Sequence, residues 1–132
     1  MPGKPIVILS DSLQGGAAHA ATHLAEGLAA ADSSLERWHF SSNRRDTAIR
    51  EFSLDPEPKR PQFERILKNF SRPAANRLRK KRHHAALRNR IAETQPSLLN
   101  VHNIHDSGLN HDALPVDLPL IWTLHDCWAF AS

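Results

Sequence analysis

Three short segments of this sequence combine residue types that could bind a ligand or move a proton. Gly15-Gly16 precedes an Ala-rich stretch, whereas His102-Asn103-Ile104-His105-Asp106 and His125-Asp126 each follow an apolar run. Paired glycines let a backbone approach a ligand, and the N–H groups at a helix start suit a phosphate or diphosphate. Taken alone, the glycines favour an ordinary turn over a phosphate site, because neither a dinucleotide fingerprint nor a P-loop surrounds them.

The histidines allow more than one kind of chemistry. His102 and His105 could hydrogen-bond a polar ligand, and His125 beside Asp126 could bind a sugar hydroxyl or assist proton transfer. A metal-dependent hydrolase would combine all four side chains. Their spacing matches no structural zinc pattern and the chain has one cysteine, so no metal or cofactor is predicted. The structural alternative is that the histidines bond to the backbone, Asp126 caps a turn and Cys127 packs in the core.

Strands and helices must alternate to position these segments. Apolar runs predict strands at residues 5–9, 35–40, 97–101 and 118–124, with a short third strand within 48–54. Helices are predicted at 17–31, 63–70 and 74–93, with a single turn at 110–114. This order predicts an α/β fold, a Rossmann-like parallel sheet with flanking helices. In the first helix, the side predicted to face the sheet carries Ala17, Ala20, Ala21, Leu24 and Leu28.

Composition limits the functional classes. The chain has 132 residues, which suits one domain, and its single cysteine excludes an internal disulfide framework and fits a reducing compartment. Its apolar runs are all shorter than the ~20 residues that a membrane-spanning helix needs, so we predict a cytoplasmic protein. Parallel strands also place their carboxyl ends at one edge of a sheet, where ligands of this fold class bind.

The small net charge of +3 conceals a strongly basic segment. Residues 59–90 contain 12 of the 17 Lys and Arg residues and one of the 14 acidic residues, a net charge of +11. Such a segment favours phospholipid headgroups, nucleic acid or an acidic protein surface, although a solvated helix face is about equally expected. Nucleic acid is the less favoured partner because residues 72–90 contain no aromatic side chain.

Taken together, the segments resemble the N-terminal half of a retaining GT-B glycosyltransferase of family 4, in the group that builds bacterial exopolysaccharide and colanic-acid-like chains. The similarity is carried by Gly15-Gly16-Ala17-Ala18, by Val101-His102-Asn103-Ile104-His105 and by Ile121-Trp122-Thr123-Leu124-His125-Asp126-Cys127-Trp128-Ala129-Phe130. Residues 41–95 carry little of it. The resemblance implies that residues 1–132 are an incomplete N-terminal, acceptor-side lobe with a basic helical segment at 59–93, and that the C-terminal donor-binding lobe is absent.

The resemblance also implies an activity, namely transfer of a sugar from a nucleotide-sugar donor to a glycan or lipid-linked acceptor, without a metal. By position, Gly15 and Gly16 would contact the donor diphosphate, while His125 and Asp126 would be the catalytic residues beside the donor sugar. The acceptor side of the cleft would contain His102, Asn103 and His105. His19 departs from the pattern, since a basic residue is expected there. Without a second lobe, we expect no turnover by this chain alone.

A membrane surface is the further implication of the resemblance. Members that act on lipid-linked acceptors often dock on anionic membrane through basic helices, which predicts a location at the inner face of the membrane. The predicted anion-binding patch contains Arg72, Arg77, Arg79, Lys80, Lys81, Arg82, Arg88 and Arg90. The alternative from another class is a stand-alone binding module whose basic helix contacts nucleic acid or anionic membrane.

Overall fold

A computed structural model describes residues 3–31, 34–41, 49–55, 62–109 and 111–125 of the chain. The strands are β1 (Ile6–Ser10), β2 (Glu36–His39), β3 (Arg50–Ser53), β4 (Leu98–Val101) and β5 (Leu120–Trp122). The helices are α1 (Gly16–Ala29), α2 (Gln62–Phe70) and α3 (Arg72–Thr94), and single 3-10 turns occupy His105–Ser107 and His111–Ala113. Each predicted strand and helix is confirmed, and the first 3-10 turn is additional.

The five strands form one parallel sheet in the order β3-β2-β1-β4-β5. The predicted α/β, Rossmann-like fold is therefore confirmed. The chain moves outward from β1 through α1 to β2 and β3, and then returns through α2 and α3 to β4 on the other side of β1. The direction of strand addition thus reverses between β1 and β4, and this is where ligands bind in open sheets of this kind.

Helix α1 lies on the sheet through its smallest side chains. Its buried residues are Ala18, Ala21, Thr22 and Ala25, of which the two alanines at 21 and 25 pack with Ile8, Leu35 and Ile49. The predicted contact side was right for Ala21 and wrong for Ala20, which is exposed. Leu24 and Leu28 pack only at the rim of this cluster, because the small residues allow a closer approach of helix and sheet.

Helix α3 packs on the opposite side, and polar contacts supplement its few apolar ones. Leu87 is fully buried, and Ala86 and Ile91 are partly buried against the same core cluster. The helix begins with Ser71, whose Oγ accepts the Ala74 N–H at 3.4 Å, and Pro73 lies in its first turn, where proline is tolerated. Among the described residues, no helix is long and apolar enough to cross a membrane.

A buried carboxylate connects α3 with the sheet. Glu36 Oε2 accepts hydrogen bonds from Trp38 Nε1 at 3.0 Å and from Arg90 Nη2 at 3.3 Å. The Arg90 guanidinium also lies 3.8 Å from the centre of the Phe52 ring. Arg90 belongs to the predicted anion-binding patch. Its guanidinium is paired with Glu36 and Phe52 of the sheet instead of facing an external anion.

Candidate functional site

The carboxyl ends of β1 and β4 are joined directly at the point where the strand order reverses. The Asp11 N–H donates to the Asn103 carbonyl at 2.7 Å, and the His102 N–H donates to the Leu9 carbonyl at 2.8 Å. Helix α1 begins at Gly16, five residues after Asp11. The first two segments singled out in the sequence are therefore neighbours in the structure.

A cleft of about 150 Å³ lies between the start of α1 and the segment after β4. Its lining includes Ser10, Asp11, Gln14, Gly15, Gly16, Asn103 and Asp106. Gly15 has φ of 90° and ψ of 171°, a backbone region that only glycine adopts readily, so the turn itself requires this residue. At Gly16 a Cβ would meet no described atom within 4 Å, so open space borders the helix start.

Positive features of this cleft lie at the start of α1 and behind it, whereas Asp11 and Asp106 add negative charge to the lining. No side chain among the described residues caps α1, so its first N–H groups remain available to a ligand. Behind the cleft, Arg37 is 1 % exposed and donates from Nη2 to Ser10 Oγ at 3.2 Å and to the Ala18 carbonyl at 3.3 Å. A fixed buried cation therefore adds to the positive end of the helix dipole.

Asp11 is a residue of the cleft that sequence reasoning missed. Its carboxylate accepts the N–H of Asp106 at 2.8 Å and of Ser107 at 3.1 Å, and so holds the first 3-10 turn against β1. Burial raises the pKa of Asp11 to about 6, although the hydrogen bond from Ser107 and the backbone N–H groups oppose the shift. The available signal was an acidic residue immediately after the first buried strand.

The histidines of the second and third segments meet at the ends of β4 and β5. His102 Nδ1 lies 2.8 Å from His125 Nε2, and the ring centres are 5.0 Å apart. Burial, followed by the charges of His125 and Arg37, lowers the pKa of His102 to about 4, so His102 is neutral near pH 7. Within the described part of the chain, the buried Nε2 of His102 has no hydrogen-bond partner.

His105 lies apart from this pair. Its Nε2 is 3.2 Å from Asp106 Oδ1, and together with Asp11 these residues form the one described group whose ligand atoms all lie within 4.8 Å of one another. The hydrolase alternative instead required His105 beside both His102 and His125. Because both oxygens of Asp11 already accept backbone N–H groups, the turn accounts for this cluster and no metal is assigned. Asp126 and the other residues of 126–132 lie outside the described residues.

A second buried histidine supports the sheet behind the site. His39 Nδ1 accepts the Ser41 N–H at 3.2 Å, and its Nε2 lies 3.2 Å from Glu51 Oε1. Burial lowers the pKa of His39 despite the opposing charge of Glu51. This pair connects the carboxyl end of β2 with Glu51 in β3, so its role is structural.

The basic residues of α3 divide into separate groups. Lys80, Lys81 and Arg88 are exposed and border a shallow groove of about 460 Å³. Arg82 pairs with Asp55 at 3.2 Å, on the side that faces β3. The residues of the predicted anion-binding patch therefore differ in their surroundings, and those nearest α2 border a different cleft.

Comparison with known proteins does not assign a family or a function to this chain. No family model matches the chain, and neither a curated protein nor a solved structure matches it. The residues of the site are therefore interpreted from their own contacts and chemistry.

Proposed function

We propose that this chain forms the acceptor-side lobe of a retaining GT-B glycosyltransferase, which moves a sugar from a nucleotide-sugar donor to a glycan or lipid-linked acceptor. The observation that carries the proposal is the cleft at the strand-order reversal, where Gly15 and Gly16 open α1 and Arg37 is buried behind them. Helix N–H groups and a fixed cation are the means by which proteins bind a diphosphate.

In this proposal the donor diphosphate accepts hydrogen bonds from the N–H groups at the start of α1. Arg37 stabilises the negative charge from behind, without direct contact, because its guanidinium already bonds to Ser10 and Ala18. The open space beside Gly16 lets a phosphate oxygen approach the backbone closely. The nucleotide itself would be held mainly by a second lobe.

The histidine pair would orient the donor sugar. His102 holds Nε2 of His125, which leaves Nδ1 of His125 for a sugar hydroxyl. Because His102 is neutral near pH 7, it can hold the His125 ring without adding its own charge beside the reacting carbon. Asp126 is proposed to support His125, and Asn103 and His105 to contact the acceptor.

The proposal is tested by titrating the isotope-labelled chain with UDP-glucose, GDP-mannose and ADP-glucose while recording amide spectra. We expect at least one donor to shift the amides from Gly15 to Ala18 together with His125. The Gly16→Val substitution should weaken that binding about tenfold or more, because its side chain enters open space that the phosphate needs.

The matched control is Gly27→Val in the same helix, where a Cβ also meets no described atom within 4 Å. This control should bind the donor like the natural chain. If none of the three donors shifts the Gly15 and Gly16 amides, or if both substitutions weaken binding equally, the proposed donor site is wrong.

A membrane-bound location is a second proposal, and it rests on the exposed groove of α3. Lys80, Lys81 and Arg88 form no ion pair among the described residues.

We expect the chain to co-sediment with vesicles of phosphatidylcholine and phosphatidylglycerol and to dissociate from them as the salt concentration increases. It should not bind vesicles of phosphatidylcholine alone. Replacing the three cations with glutamine should reduce vesicle binding about 100-fold, since each basic residue near an anionic surface contributes about 1 kcal/mol. Equal binding to both kinds of vesicle would contradict this proposal.

A further inference from the structure

A basic cleft between α2 and α3 has no role in the proposed sugar transfer. It has a volume of about 660 Å³, which is in the usual range for small-molecule sites. Its cationic lining residues are Arg65, Lys68, Arg72, Arg79 and Arg82. No acidic residue is among the described residues that line it, so the cleft is a concentrated positive surface.

The helical spacing explains why these charges converge. Arg65 and Lys68 are three residues apart on α2, and therefore project from the same side of that helix. Arg72 and Arg79 are two turns apart on α3, which packs against α2. Two helices thus present their basic sides to the same space, although the sequence showed only one long basic segment.

Four of the five cations of this cleft have no acidic partner among the described residues. Arg82 pairs with Asp55 at 3.2 Å, but Arg65, Lys68, Arg72 and Arg79 form no ion pair among the described residues. The Nε of Arg79 is also buried without a hydrogen-bond partner in the described part of the chain. Four like charges repel one another and a buried donor without an acceptor is unfavourable, so an anion would relieve both costs.

The polar groups of the cleft identify the kind of anion. Asn69 and Asn76 also line it and can donate amide N–H groups without adding charge. Guanidinium groups bind phosphate oxygens through paired hydrogen bonds, and one phosphate or diphosphate has enough oxygens to satisfy several cations together. A carboxylate has two oxygens and would leave most of these donors without an acceptor.

We propose that the α2–α3 cleft is a binding site for a phosphate or diphosphate group, borne by a small organic molecule that fills the remaining volume. The site is separate from the Gly15-Gly16 cleft, because the lining residues of the two clefts do not overlap. It also differs from the exposed groove of Lys80, Lys81 and Arg88. The inference therefore stands or falls independently of the proposed transferase function.

The experiment compares two triple variants that each remove three positive charges. The cleft variant replaces Lys68, Arg72 and Arg79 with glutamine, and the groove variant replaces Lys80, Lys81 and Arg88 with glutamine. Inorganic pyrophosphate is titrated into each chain by calorimetry, with amide spectra to locate the shifts. We expect the cleft variant to bind pyrophosphate at least about tenfold more weakly than the natural chain, and the groove variant to change less than about twofold.

A second arm distinguishes a soluble ligand from a lipid headgroup. Pyrophosphate is replaced by vesicles of phosphatidylcholine that contain either phosphatidic acid or, at equal charge, phosphatidylglycerol. The cleft variant is compared with the natural chain in this arm, because the groove variant is itself expected to weaken binding to anionic vesicles. A cleft-dependent loss with pyrophosphate identifies a soluble phosphate ligand, whereas a cleft-dependent loss with phosphatidic acid alone identifies a phosphomonoester headgroup. The proposal is overturned if the cleft variant binds pyrophosphate like the groove variant and phosphatidic acid vesicles like the natural chain, or if the pyrophosphate shifts lie only at Gly15 and Gly16.

A single substitution tests the same site even if the triple variant does not fold. Lys68 is exposed, so Lys68→Glu should leave the fold intact while introducing a negative charge into the cleft. We expect it to weaken pyrophosphate binding at least about tenfold with an unchanged amide spectrum elsewhere. Unchanged affinity in this well-folded variant would also overturn the proposal.

Discussion

Replacing Glu36 with alanine is expected to lower the free energy of unfolding by about 3 kcal/mol. The Glu36 carboxylate is almost fully buried and accepts hydrogen bonds from both Trp38 and Arg90. Its removal leaves a buried indole N–H without an acceptor and the Arg90 guanidinium without its main counter-charge. Since Arg90 also stacks on Phe52, the loss should loosen the contact between α3 and the sheet.

Urea denaturation near neutral pH measures this effect, and the chain offers a matched control. Glu93 is the other acidic partner of Arg90, at 3.8 Å, but its side chain is 70 % exposed. Glu93→Ala should therefore change the free energy of unfolding by less than about 0.5 kcal/mol. If the two alanine substitutions have equal effects, Glu36 does not hold α3 on the sheet.

The His102→Asn substitution is expected to change how stability depends on pH. Asparagine retains a polar group near the position of Nδ1 but does not titrate. His102 has a pKa of about 4 in the folded chain and an ordinary value of 6.5, so the unfolded chain binds more protons between these values. The stability that this histidine contributes is therefore present above about pH 6.5 and is lost as the pH falls toward 4.

The expected magnitude is about 2 kcal/mol between roughly pH 7 and pH 5. The natural chain should lose this much more stability than His102→Asn over that interval, as measured by urea denaturation at both pH values. An equal loss in the two chains would show that the fold does not hold His102 neutral, and would remove the basis for a neutral His102 at the candidate site.

Asp11 supplies a comparison of opposite sign. Its pKa is raised from 3.8 to about 6, so the folded chain binds more protons in that range and loses stability as the pH rises through it. Asp11→Asn should therefore cost about 1 kcal/mol less near pH 7 than near pH 5. Between pH 5 and pH 7, Asp11 lowers stability as the pH rises and His102 raises it. The free energy of unfolding of the natural chain should therefore depend less on pH than that of either variant.

The sequence by itself determined the secondary structure and the fold class. Apolar runs such as Ile6–Ser10 and Leu98–Val101 are buried strands, and their alternation with helices required a parallel sheet. Hydrophobic periodicity is a local property, so the sequence is sufficient for it. The glycines at the start of α1 and the histidines after the strands were also recognisable, because chain polarity places both at the carboxyl edge.

Only the tertiary structure decided which of these residues act together. The strand order puts β1 beside β4, and this makes Asp11 and Asn103 neighbours although they are far apart in the sequence. Burial of Arg37 behind the cleft, and of Glu36 beneath Arg90, depends on which face each strand turns toward a helix. Residue types and spacing do not encode that choice, because it results from the packing of whole elements.

The basic segment shows the same division most clearly. Its high charge was visible in the sequence, and so was the prediction of an anionic partner. The fold separated its cations into the α2–α3 cleft, the exposed groove and the Arg90 contact with the sheet. Net charge is a sum over residues, whereas an anion responds to the few charges that converge at one place, and only packing determines where that is.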